Sequence, residues 1–175
     1  PQDRVQRVAA YVQSRGMACS VYGAQFLLDA LYLAGRDEAA LRLMAGKGRR
    51  SWYNMLRMGS TITTEAWDNV YKSNLDWNHA WGAAAANVIA RRLMGIRPLK
   101  PGFEEIAICP QPGGLSHARI VQPSPRGSIG VEWRTRSDGK LNLSVTVPAN
   151  STARLTLPHT GQVVTLPPGH HRISE

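Results

Sequence analysis

The residues best suited to chemistry lie in two nearby stretches of this sequence. Residues 61–68, TITTEAWD, place Glu65 two positions before Trp67. Residues 76–82, DWNHAWG, place His79 between two further tryptophans. A carboxylate beside aromatic rings is what a glycoside-cleaving site needs, because an acid or base must work there next to flat surfaces for the apolar faces of a sugar ring. The density of these side chains, more than any single Glu–Trp pair, indicates a carbohydrate site.

The composition is typical of a globular protein with a substantial core. The 175 residues are 43% apolar, which is enough for one domain or for one domain and a small second one. The net charge is +9, but the 21 Lys and Arg are scattered and build no basic stripe, so we expect no nucleic-acid partner. No apolar run approaches the length of a membrane span, and we expect no membrane association. Because the sequence opens at Pro1, without Met, in a helical pattern, we expect it to be a piece of a longer protein.

The cysteines and the paired histidines follow no ligand pattern. Cys19 and Cys109 are far apart in apolar contexts, which favours buried free thiols over a disulfide or a metal site. The pair His170-His171 has no cluster of further ligands near it in the sequence. We therefore expect neither a metal nor a cofactor.

The first hundred residues follow the periodicity of helices. Two-faced helices alternate with helices that are apolar on most sides, and Asp76 is the expected cap of the last one. The predicted helices span residues 3–14, 21–34, 38–46, 51–58 and 77–94. Such alternation is typical of helical hairpins that form an inner and an outer ring, which is called an α/α toroid. The predicted helices are too few to close such a ring. We expect the two apolar helices to expose patches that the rest of the protein or another copy covers.

After Pro101 the hydrophobic period changes to two, which indicates strands. The predicted strands span residues 103–108, 118–121, 128–136, 140–147, 153–157, 163–166 and 171–173. Seven short strands with frequent turns are typical of an antiparallel β-sandwich, and Trp133 alternates with core residues of that sandwich. The sequence therefore predicts an α+β multidomain fold, in which part of an α/α toroid is followed by a small antiparallel β-sandwich.

Several motifs, in order along the chain, resemble the C-terminal part of bacterial α-L-rhamnosidases of glycoside hydrolase family 78. They are CSVY at 19–22, SWYNM at 51–55, TITTEAWD at 61–68, NLDWNHAWG at 74–82, GIRP at 95–98 and PGF at 101–103. In that family an (α/α)6 barrel carries the site and a β-sandwich follows it. The resemblance implies that residues 1–100 are the C-terminal part of the (α/α)6 catalytic barrel and residues 101–175 the C-terminal β-sandwich domain.

The resemblance also implies an activity, the hydrolysis of terminal α-L-rhamnose from glycosides or polysaccharides with inversion. It assigns the general base to Glu65 and places His79, of the pair Asn78-His79, in the sugar pocket. Many family members carry Trp or Met before this Glu, where this chain has Thr64. Trp67 is a candidate for packing on the C6 methyl face of rhamnose. The family's general-acid motif has no counterpart in this sequence, so we expect the piece alone to be inactive.

Each candidate residue also has a structural interpretation. Glu65 would then pair with a surface cation such as Arg57, and His79 and Trp67 would be ordinary core residues. For Trp77 and Trp81 core packing is the favoured interpretation, because they share a predicted helix face with small and apolar residues. Asp68 and Asp76 are expected to be structural residues rather than catalysts, Asp68 as a loop residue and Asp76 as a helix cap.

Two other functions remain open at this point. One is a different α/α-toroid glycosidase, similar to glucoamylase or trehalase, which would act on glucosides. The other is a non-catalytic module whose β-sandwich binds carbohydrate or is purely structural. The sandwich offers few aromatic side chains for sugar binding, Phe103 and Trp133, and Trp133 is expected to be buried.

Overall fold

The N-terminal half of the chain is helical, as its hydrophobic periodicity predicts. In the computed structural model, which describes residues 2–175, four α-helices precede the candidate site: α1 Gln2–Arg15, α2 Gly23–Leu33, α3 Asp37–Met44 and α4 Trp52–Arg57. Gly35 ends α2 with a φ of +70°, donating its N–H to Tyr32 O, while Arg36 N–H bonds to Leu31 O. This is the left-handed turn that favours glycine after a helix, and it starts the short link to α3.

The long helix predicted over 77–94 starts later than expected and is not uniform. A 3₁₀ turn, Ala80–Ala83, is followed by α5, Ala84–Val88, and by a π-helical turn, Ile89–Leu93. His79 precedes the first turn with an extended backbone, φ −132°. Asp76 does not cap the helix but accepts a hydrogen bond from the Asn78 N–H. Residues 76–79 are not helical because the backbone O of Asp76 and the N–H of His79 bond to Glu65 and Thr63 of the neighbouring loop.

The interior of the helical unit is small, and much apolar surface lies outside it. A buried cluster joins Met17, Val21, Ala24, Met55 and Trp67. Trp81 and Phe26 are each 74% exposed, and Trp77 and Leu33 are exposed as well. The expected core positions of Trp77 and Trp81 are therefore wrong, because Trp77 precedes the first helical turn and Trp81 lies on an exposed side of that turn. The exposed apolar surface expected of an incomplete ring is present on α2 and around Trp81.

Eight strands in the C-terminal half form two four-stranded sheets. They are β1 Ile96–Pro98, β2 Glu105–Ile108, β3 His117–Gln122, β4 Ile129–Thr135, β5 Leu141–Val147, β6 Thr152–Thr156, β7 Val163–Leu166 and β8 Gly169–Ser174. The strand orders are β1-β2-β6-β7 and β3-β4-β5-β8. Neighbours are antiparallel except β2 and β6, which run parallel. Alternate residues of the central strands are buried, and Trp133 is fully buried, as predicted.

The strand that the sequence did not predict is β1. It has only three residues, begins directly after Gly95 and ends in Pro98, so neither alternation nor a turn signal marks it. It pairs antiparallel with β2, with Ile96 opposite Ile108.

The structure divides into one unit that ends at Val88 and a second unit, Ile89–Glu175. The domain boundary expected near residue 100 stays a prediction. Both cysteines, Cys19 and Cys109, are free and partly buried, and burial raises the pKa of each thiol. Within residues 2–175 no helix combines the length and the apolar content that a membrane crossing requires.

Candidate functional site

Backbone hydrogen bonds hold the two chemistry-bearing stretches side by side. Glu65 N–H donates to Asp76 O at 2.9 Å, and His79 N–H donates to Thr63 O at 2.8 Å. The Thr63 hydroxyl adds a bond to His79 O at 2.6 Å. The loop carrying Glu65 is thus paired with the segment carrying His79 without forming regular strands. Fixed spacing between these two segments is what an irregular loop needs in order to present a functional side chain reproducibly.

Gly82 allows this pairing to be close. A Cβ at Gly82 would lie 2.6 Å from the Cβ of Thr63, closer than atoms can pack, and 3.1 Å from Thr64 O, which is a tight contact. Trp52 of α4 donates its indole N–H to Gly82 O at 2.6 Å. The start of the helical segment is therefore clamped between α4 and the Thr63–Thr64 backbone.

Ser51 orients α4, which in turn supports the loop. Its hydroxyl accepts the Asn54 N–H at 3.1 Å as an N-cap and donates to Gly48 O at 2.5 Å. Asn54 then donates its amide N–H groups to Trp67 O and to the Asp68 carboxylate. The Asn54 side chain therefore connects α4 to the part of the loop that directly follows Glu65.

The carboxylate of Glu65 is held by two donors. Lys72 Nζ lies 2.5 Å from its Oε1, and the Asp76 N–H donates to its Oε2 at 3.1 Å. The bond from Lys72 lowers the pKa of Glu65, and the Asp76 N–H and the nearby His79 act in the same direction. The side chain is 21% exposed. Glu65 is therefore ionised at neutral pH and oriented, with part of the carboxylate accessible.

His79 belongs to a hydrogen-bonded chain beside Glu65. Its Nε2 lies 2.6 Å from the hydroxyl of Tyr22, and its Nδ1 lies 3.3 Å from Asp76 Oδ2. In the tautomer with the proton on Nδ1, His79 donates to Asp76 and accepts from Tyr22. The Asn78 N–H and His79 also lower the pKa of Asp76. Rings of Tyr22 and Trp81 meet His79 edge to face, which fixes the imidazole plane.

A cleft of about 410 Å³ opens at Glu65. Glu65 and Lys72 line it together with Tyr22, Tyr71 and Arg50. The guanidinium of Arg50 lies over the Tyr71 ring, 4.7 Å from its centroid. The cleft thus combines one carboxylate, two cations and phenol rings, a set that can bind a polar ligand and remove a proton from it.

Trp67 is among the residues that surround this cleft, but its ring is buried. The ring is 2% exposed, packs edge to face on Trp52 with centroids 5.0 Å apart, and donates its N–H to Cys19 O at 2.7 Å. A ring enclosed in this way has no open face on which a sugar methyl could pack. The structure therefore favours core packing for Trp67 over the sugar-stacking role considered from the sequence.

The structure brings Glu65 and His79 together and separates Glu65 from Arg57, which donates instead to Asn54 Oδ1. Sequence reasoning missed Lys72, which no motif marks, seven residues after Glu65. It also gave no role to Tyr22, although the CSVY motif contains it. Among the described residues no group of three or more His, Cys, Asp and Glu side chains is arranged to hold a metal ion.

Comparison with known families covers almost the whole chain. Residues 2–93 match the model of the bacterial alpha-L-rhamnosidase 6 hairpin glycosidase domain. Residues 95–171 match that of the bacterial alpha-L-rhamnosidase C-terminal domain. The two matches follow each other in the order of helices and sheets seen in the structure.

Individual relatives agree with this assignment. An alpha-L-rhamnosidase of Alteromonas sp. (strain LOR) is 31% identical over 160 residues, which are 86% of this chain and 16% of that protein. The fold matches the crystal structure of an Aspergillus terreus α-L-rhamnosidase with a TM-score of 0.84, at 22% identity, over 99% of this chain and 21% of the other. A Streptomyces avermitilis alpha-L-rhamnosidase complexed with L-rhamnose gives a TM-score of 0.83 at 23% identity, covering 99% of this chain and 20% of the other. The chain therefore spans about one sixth of the curated relative, and it belongs to the bacterial α-L-rhamnosidase family.

Proposed function

We propose that this chain is the C-terminal portion of an inverting α-L-rhamnosidase in which Glu65 is the general base. The observation that carries the proposal is the ionised, doubly hydrogen-bonded carboxylate of Glu65 at the edge of a cleft. A base must be ionised before it acts, and its lone pairs must point at a fixed place. Both conditions are met at this residue.

Inversion needs two carboxyl groups about 6.5–9.5 Å apart, so that a water molecule fits between one of them and the sugar. Glu65 takes a proton from that water while the water oxygen bonds to the anomeric carbon and the glycosidic C–O bond breaks. A general acid, supplied by a segment outside these 175 residues, protonates the departing oxygen. Glu65 and the acid thus act on opposite faces of the sugar ring.

The substrate assignment rests on relatives. The Streptomyces avermitilis structure is described as complexed with L-rhamnose. We propose the same sugar for this protein, attached to a glycoside or a polysaccharide. His79 is a candidate to hydrogen-bond a sugar hydroxyl or the attacking water, which would replace Tyr22 or Asp76 as the partner of one ring nitrogen.

The stereochemistry of the first product tests this proposal. Full-length enzyme incubated with an aryl α-L-rhamnoside is expected to release β-L-rhamnose first, which proton NMR resolves from the α anomer before mutarotation. Release of the α anomer first would contradict an inverting mechanism. Turnover of an aryl glucoside, but not of the rhamnoside, would favour the glucoamylase-like or trehalase-like alternative.

Replacing Lys72 by Met is expected to move the acid limb of the pH profile. The hydrogen bond from Lys72 lowers the pKa of Glu65, so the wild-type base stays ionised as the pH falls toward that lowered value. Without Lys72 the pKa of Glu65 rises, and activity is lost at a higher pH. The measurement is kcat/KM against pH for wild type, K72M and the charge-conserving K72R. An acid limb that does not move in K72M would contradict this role.

We infer that the exposed apolar side chains on α2 and around Trp81 are covered by the remainder of the enzyme or by a second copy of the chain. Phe26 and Trp81 line a largely apolar groove of about 460 Å³, and surfaces of this kind are usually interaction sites. The isolated 175-residue chain is therefore expected to self-associate in sedimentation velocity runs. A monomer across the micromolar range would argue against this inference.

A further inference from the structure

One face of the sheet β3-β4-β5-β8 is polar and exposed, whereas the opposite face forms the core. The register aligns its outward residues in rows across the four strands. From β8 to β3 the rows are Ser174, Asn142, Arg134, His117; Arg172, Ser144, Glu132, Arg119; and His170, Thr146, Gly130, Val121. Three arginines and two histidines thus share one face with a single carboxylate.

This face belongs to the more basic half of the chain. The unit Ile89–Glu175 contains eleven Lys and Arg against five Asp and Glu, a net charge of +6. The lone carboxylate on the face, Glu132, is already engaged: His117 Nε2 lies 2.9 Å away and Arg134 Nη2 lies 3.3 Å away. Glu132 can offset only part of the positive charge of Arg119, Arg134 and Arg172, so the face keeps a net positive charge that can act on a ligand.

A groove of about 450 Å³ runs across the face between two of the arginines. Arg134 and Arg172 stand on either side of Asn142 and Ser144, and Glu132 and Ser174 complete its polar lining. Guanidinium groups pair with carboxylates through two parallel hydrogen bonds, and hydroxyl and amide groups suit sugar hydroxyls. The groove therefore offers guanidinium groups for a carboxylate and hydroxyl and amide groups for sugar hydroxyls.

We propose that this sheet face binds an acidic polysaccharide through its uronate carboxylates. None of the outward residues in the three rows is Phe, Trp or Tyr, so binding relies on charge and hydrogen bonds, and neutral glycans are poor ligands. Nucleic acid fits less well, because the face has no Phe, Trp or Tyr ring on which a base could stack and Glu132 lies in the middle of the cations. The site would hold a polymeric substrate near the enzyme without taking part in bond cleavage.

Affinity electrophoresis tests the proposal with full-length enzyme in gels that contain polygalacturonate, a polymer without rhamnose. Polygalacturonate is expected to retard the wild-type protein, and dextran is not. The double variant R134A/R172A is expected to bind about tenfold more weakly, because two charge-assisted contacts are lost. The matched control is R97A/R154A, which removes the same charge from exposed positions of the other sheet.

Two outcomes would overturn the proposal. Equal weakening in both double variants would mean that net charge alone attracts the polymer. Absence of retardation by polygalacturonate, or stronger retardation by single-stranded DNA, would exclude an acidic-polysaccharide site. Thermal unfolding of both variants should match wild type, since all four arginines are exposed. The outcome is independent of Glu65, because hydrolysis of rhamnosides is measured separately.

Discussion

Full-length enzyme with Glu65 replaced by Gln is expected to lose about 10²–10⁴-fold in kcat toward an aryl α-L-rhamnoside, the usual contribution of general acid–base catalysis. Gln has nearly the same shape, and its one oxygen accepts either the bond from Lys72 or the bond from the Asp76 N–H, which reach different oxygens of Glu65. It cannot take a proton from water. KM is expected to change little, because the lost interaction matters mainly in the transition state. Initial rates at saturating substrate measure the effect.

A chemical rescue separates loss of the base from distortion of the site. Glu65→Ala leaves room for azide, a nucleophile that needs no base, and azide is expected to restore part of the rate and to yield β-L-rhamnosyl azide. The matched control is Glu38→Gln on α3, an exposed acid paired with Arg42, which removes the same charge and should leave kcat unchanged. Equal losses in both variants, or no azide product, would exclude Glu65 as the base.

The sequence predicts most elements of the fold because most of them have a strong periodic signal. α1 to α4 carry apolar residues at helical spacing, and β4 and β5 alternate over seven residues each. The pairing of the loop at Glu65 with the segment at His79 was foreseen only as proximity. The bonds between Glu65 and Asp76 and between His79 and Thr63 join backbone N–H and C=O groups. Because nearly every residue carries these groups, the residue types do not reveal such bonds.

The failures of prediction arise where tertiary contacts override local pattern. Residues 77–79 fit a helical repeat, but the bonds from Glu65 to Asp76 and from His79 to Thr63 hold residues 76–79 outside the helix, and Trp77 is exposed there. Lys72 has no sequence signal as a partner of Glu65, because the turns between them decide where its side chain points. Trp81 is exposed although core packing was the favoured interpretation, and Trp67, for which core packing and sugar stacking were both open, is buried. Periodicity therefore identifies elements but does not place single aromatic rings.

Replacing Gly95 by Ala is expected to destabilise the sheet unit more than replacing Gly139 by Ala. Gly95 has a φ of +75°, and a Cβ there would lie 2.1 Å from both C and O of Cys109. The left-handed conformation costs a non-glycine residue about 1–2 kcal/mol. The overlap is with backbone, so it can be relieved only by moving β1 away from β2 and breaking the bond from the Cys109 N–H to Gly95 O, 3.1 Å long. A loss of more than about 4 kcal/mol is expected.

Gly139→Ala is the matched control, because it separates the cost of the left-handed φ from the cost of the overlap with Cys109. Gly139 has a similar φ, +84°, in the turn between β4 and β5, but no atom outside its chain neighbours lies within 4 Å of an added Cβ. Gly139→Ala should therefore lower the free energy of unfolding only by the cost of the left-handed conformation, about 1–2 kcal/mol. Urea unfolding of both variants gives the two losses, and hydrogen exchange of β1 and β2 amides locates them. Losses of equal size would mean that strain in φ alone, and not the contact with Cys109, makes glycine necessary at position 95.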